Sequence, residues 1–200
     1  LLDIPLFLFL AILIFMGIRG KSSHFILTPL AVMGFTTIVT EILLIIAYQA
    51  FKGYLYRSVA LLFAAFMIGL SVGAFIGMRK KMIYSAQIVL DQAGFILLLG
   101  IGFFALRTQT HEIMFILLLF ALGFLGGDLF VVSNRLYLNT NSDYGLGYGL
   151  DLLGSFVGAV AVSSVLIPLV GLLPLIKYLI LLNSFCLLFL IFGLKAGKLR

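Results

Sequence analysis

Four carboxylates, Glu41, Asp91, Asp128 and Asp151, interrupt long stretches that are otherwise almost purely apolar. In hydrocarbon a charged side chain costs roughly 2.5–3.5 kcal/mol at a helix centre on insertion scales, so each needs a partner or a wet cavity. Two chemistries fit. The acids can form ion pairs or cap helix ends and so hold a bundle in register, or they can line a path for a proton or cation. The three aspartates fall at the same depth as Arg79, Lys80 and Arg135, which favours pairing. Asp151 lies near the expected start of its helix, where the dipole stabilises it, and Asp128 lies two turns before Arg135 on one helix. Glu41 differs, because no basic residue shares its depth. It shares a helical face with Thr37 and, roughly, with Tyr48 and Gln49. The candidate cation or proton site is therefore Glu41, Gln49, Asp91, Asp128 and Asp151.

Other constellations are missing from the sequence. His24 and His111 lie at the ends of different spans, on opposite faces of the expected topology, which argues against a bis-histidine haem held by this chain. Cys186 is the only cysteine, and no HExxH, phosphate-binding loop or GxGxxG occurs. No catalytic residue, metal site or cofactor is expected, and the chain reads as a non-enzyme. Tyr54 and Tyr56 beside Lys52 and Arg57, and Tyr137, Tyr144 and Tyr148 at the other face, are expected to form interfacial aromatic belts.

These residues are carried by elements that only lipid can solvate. Hydrophobic residues make up 64% of the 200, charged residues 10%, and the mean hydropathy is +1.28, whereas a soluble domain is about half apolar and a quarter charged. Apolar runs at about 4–18, 25–50, 58–78, 84–106, 113–136, 147–173 and 174–194 predict an all-α, polytopic transmembrane bundle of about seven helices. Pro29 is expected in the first turn of its helix, and Pro168, Gly171 and Pro174 mark a kink or turn between the last two. Gly69, Gly73 and Gly77 recur on one helical face, as do Gly154 and Gly158, and small residues at that spacing let neighbouring backbones approach.

With the N-terminus outside, Arg19, Lys21, Arg79, Lys80, Lys81, Arg135, Lys195, Lys198 and Arg200 fall inside, against Lys52, Arg57, Arg107 and Lys177 outside. That bias places the C-terminus in the cytoplasm. It also explains the net charge of +6 without nucleic acid.

Two stretches resemble the membrane region of the fused major-facilitator-like/spermidine-synthase-like proteins of bacteria. They are GFTTIVTEILLIIAYQAFKGYLYRSVALLFAAFMIGLSVGAFIG at 34–77 and YGLDLLGSFVGAVAVSSVLIPLVGL at 148–172, with GFLGGDLFVVSNR at 123–135 similar to the Gly-rich end of a neighbouring family helix. Residues 73–81, GAFIGMRKK, resemble the major-facilitator loop motif without its central Asp. The resemblance implies a major-facilitator-half-like six-helix unit at 23–200, preceded by an additional transmembrane helix at 1–22. It further implies a bacterial inner-membrane location and a soluble synthase-like domain upstream of Leu1.

Three functions remain open at this level. The first is an integral membrane module that anchors a soluble domain or a membrane complex, its partners being lipid, that domain, other membrane subunits or a second copy. The second is half of a secondary transporter for a small cation or polyamine, which requires a second six-helix half. The third is a cofactor-free scaffold subunit of a membrane electron-transfer complex.

Overall fold

The computed structural model describes residues 22–53, 56–81, 85–108, 111–139, 143 and 145–195. Six helices among them are long and apolar enough to cross a membrane: α1 (Ser22–Lys52), α2 (Arg57–Arg79), α3 (Ser85–Thr108), α4 (Glu112–Leu138), α5 (Leu146–Val170) and α6 (Leu172–Lys195). The count among the described residues is thus six. The first of the seven expected spans, at 4–18, lies outside them. Helices are the solution because hydrocarbon offers no hydrogen bonds, and a helix satisfies its backbone within one segment.

Residue size decides which helices meet. A methyl group at Gly69 or Gly73 of α2 would run into the backbone of Phe120 or Phe124 on α4, and one at Gly123 or Gly127 into the backbone of Phe66 or Leu70 on α2. Helix α5 seats on α1 in the same way, with Gly154 over Ala31 and Gly158 against Phe35 and Ile38. Helix α3 packs on α6, and α1 and α4 meet each other at the centre. Exchanging the first three helices for the last three maps the α1–α5 pair onto the α4–α2 pair, and consecutive spans alternate in direction. This is the pattern of an inverted repeat.

Three prolines lie within the described helices. Pro29 lies in the eighth position of α1, not in its first turn, because the helix starts at Ser22. In α5, Val162–Leu166 forms a π turn just before Pro168, and the helix ends at Gly171, whose φ of 81° belongs to the left-handed region. Proline has no N–H to offer the carbonyl four residues earlier and its ring crowds that carbonyl, so the chain widens by a residue there. Pro174 sits in the first turn of α6, where no bond is lost.

Candidate functional site

A cavity of about 310 Å³ opens among α1, α2, α4 and α5. Helical spacing builds each wall: Met33, Thr37 and Glu41 stand at successive turns of α1, Phe66, Leu70 and Ala74 at successive turns of α2, and Tyr148, Asp151 and Ser155 along one face of α5. Helix α4 contributes Gly126, Gly127 and Phe130. The missing side chains of those two glycines leave part of the space. Helices α2 and α5 flank the cavity without forming a packed interface with each other. Met67 and Tyr148, which line it from these helices, are each 56% exposed, so the cavity is open on that side.

Glu41 is only 3% exposed, and its Oε1 has no hydrogen-bond partner in the protein. None of the residues lining the cavity is Lys, Arg or His, so the carboxylate also faces no fixed counter-charge there. Two hydroxyls of the cavity wall are committed to backbone carbonyls. Thr37 Oγ1 donates to the carbonyls of Met33 at 2.8 Å and Gly34 at 3.1 Å, and Ser155 Oγ donates to Gly34 O at 3.1 Å. The Tyr148 ring stands edge-on to Phe130, with centroids 6.3 Å apart. The arrangement is an apolar and aromatic chamber holding two carboxylates, which is suited to a positively charged guest.

Asp151 belongs to this chamber and not to the basic cluster with which its depth associates it. It is the sixth residue of α5, near the helix start as expected but past the first turn, where the dipole acts most strongly. The swap follows from packing: α5 seats on α1, and Asp151 Oδ1 lies 2.7 Å from where a Gly34 Cβ would stand.

Asp128 and Asp91 form a separate cluster. Lys80, in the connection after α2, bonds Asp128 Oδ2 at 2.5 Å. Asp91, from α3, is buried facing both Asp128 and Lys80. Arg135 does not pair with Asp128. Its Nη1 donates to the carbonyls of Gly77, Met78 and Lys80 at 3.1, 3.2 and 2.9 Å, closing the C-terminus of α2, whose last carbonyls lack helical partners. Gly77 leaves room for Asp128, because a Cβ there would come within 2.9 Å of Oδ1.

Gln49 lies eight residues beyond Glu41 and does not line the cavity. Tyr48 is buried edge-on against Phe115 at 5.6 Å. Tyr137, expected in an aromatic belt, is buried at 3% exposure, whereas Tyr56 is 90% exposed; Tyr54 and Tyr144 lie outside the described residues. His24 in the first turn of α1 and His111 before α4 stand at opposite ends of the bundle. Among the described residues no group of three or more His, Cys, Asp or Glu side chains could hold a metal ion.

Sequence reasoning passed over Tyr148 and Ser155 as cavity residues, although their spacing from Asp151 puts them on its face. It also passed over a buried amide chain. Gln92 Nε2 on α3 donates to Asn183 Oδ1 on α6 at 2.7 Å, and Asn183 Nδ2 donates to Thr36 Oγ1 on α1 at 3.0 Å. Amides within apolar helices are the signal that would have found it. No protein-family model, curated protein or solved structure matches the chain.

Proposed function

We propose that the chain is half of a membrane transport unit whose cavity binds a small cation at Glu41. The observation that carries this reading is the Glu41 carboxylate, buried, with an unpartnered oxygen, in a cavity of about 310 Å³ that no basic side chain lines. A module serving only as an anchor has no use for such a group, since an unpaired acid within a span costs a few kcal/mol. The open side between α2 and α5 is where a second six-helix unit seats, either another copy or a further part of the same polypeptide. The end carrying Arg79, Lys80, Lys81, Arg135 and Lys195 is the cytoplasmic one on this reading, and the membrane is the bacterial inner membrane. The activity is binding and translocation, without catalysis.

The test is uptake of a radiolabelled alkylamine into proteoliposomes holding the full polypeptide. Glu41→Gln is expected to lower uptake at least about tenfold, as loss of a charged hydrogen bond of about 1.5–3 kcal/mol implies. Wild-type uptake no greater than that of empty liposomes would return the chain to the anchoring reading.

A further inference from the structure

The cavity that holds Glu41 holds a second carboxylate at a different depth, and the separation can be read from the helices. Asp151 stands at the level of Gly34, against which its Oδ1 lies. Glu41 is seven residues further along α1. Seven residues are almost two full turns, so Gly34 and Glu41 share a face, and at 1.5 Å per residue they are about 10 Å apart along the helix. The two acids are therefore stacked in one chamber and not side by side.

The wall between them carries no charge and few free polar groups. Met33, Ile38, Phe66 and Leu70 are apolar, and the hydroxyl protons of Thr37 and Ser155 are committed to backbone carbonyls. An inorganic cation is a poor match, because Mg²⁺ and Ca²⁺ take six or more converging oxygens, and these two carboxylates do not converge. An organic ammonium fits better. Its charged head pairs with a carboxylate, its carbon chain lies against Met and Leu side chains, and aromatic faces such as Phe66 and Phe130 favour a cation near them. The volume is at the lower end of that of small-molecule pockets.

We infer that the guest is an organic dication, an aliphatic diamine whose carbon chain lies along the apolar wall between the two acids, one ammonium on Glu41 and the other on Asp151. This rests on the proposed cation-binding function of the same cavity and adds the number of charges and the groups that hold them.

Calorimetric titration of the full polypeptide in nanodiscs tests it with three probes: diaminooctane, diaminobutane and octylamine. Diaminooctane and diaminobutane are each expected to bind more than about tenfold tighter than octylamine, since the second ion pair adds a charged hydrogen bond. In Asp151→Asn the preference for diaminooctane over octylamine falls towards one, while residual octylamine binding reports that the variant is folded. Octylamine binding as tightly as diaminooctane in the wild type would overturn the dication and leave the cation site standing. Binding of none of the three amines would overturn both.

Discussion

The Asp151 carboxylate on α5 lies against the bare backbone of Gly34 on α1, with Oδ1 2.7 Å from the position a Cβ would take. The same Gly34 supplies the carbonyl that Ser155 bonds, one turn further along α5. A single side-chain-free position thus brings the second acid into the chamber of the first.

Gly34→Ala is expected to destabilise the protein by about 1–3 kcal/mol, the usual cost of overpacking, despite alanine's better helix propensity. Gly100 is a built-in contrast, because nothing lies within 4 Å of its Cβ position. Gly100→Ala is expected to stabilise by about 0.5–1 kcal/mol. Thermal unfolding in mild detergent reads both, and a Gly34→Ala protein as stable as wild type would contradict the close approach.

Among the described residues, Lys80 is the ammonium that faces two buried carboxylates, Asp128 and Asp91. Removing it with Lys80→Met leaves both acids uncompensated, and breaking a buried pair costs about 3–5 kcal/mol; with Lys80 partly exposed, the lower part of that range is expected. Asp128→Asn removes one of two competing acids and is expected to cost less. The double variant should therefore recover stability relative to Lys80→Met, measured by unfolding in increasing SDS.

The Gln92–Asn183–Thr36 chain ties α3, α6 and α1 together. Asn183→Leu strands the Gln92 amide and is expected to cost about 1–3 kcal/mol. Replacing Gln92 with Leu as well should restore part of that loss, because it removes the stranded Gln92 amide. A double variant worse than the single would argue that the amides do more than satisfy each other.

Pro168 accounts for the π turn at Val162–Leu166. With Pro168→Ala the carbonyl of Ser164 regains a helical donor, and α5 is expected to close into a regular α-helix. Spin labels placed before and after the turn should report a lengthened and narrowed distance distribution. An unchanged distribution would assign the turn to the packing of α5 on α1 instead.

Much of the fold was legible before any coordinates, and for a local reason. Whether a segment enters hydrocarbon depends on its own side chains, so the runs at 25–50, 58–78, 84–106, 113–136, 147–173 and 174–194 coincide with α1 to α6 to within a few residues at their ends. Glycine spacing is equally local, and Gly69, Gly73, Gly154 and Gly158 all stand where backbones touch. Helix starts are less legible: Pro29 is expected in a first turn, whereas its helix begins at Ser22, because apolar residues do not mark the point where a helix leaves the bilayer.

The candidate site divides along the same line. Sequence alone established which acids interrupt apolar helices and where along its helix each one stands. It did not establish their partners. Depth is set along a helix axis by residue number, whereas partnership depends on rotation about that axis and on which helices are neighbours. Only the tertiary structure, through the seating of α5 on α1 and of α2 on α4, put Asp151 with Glu41 in one chamber and left Asp91 and Asp128 to share Lys80.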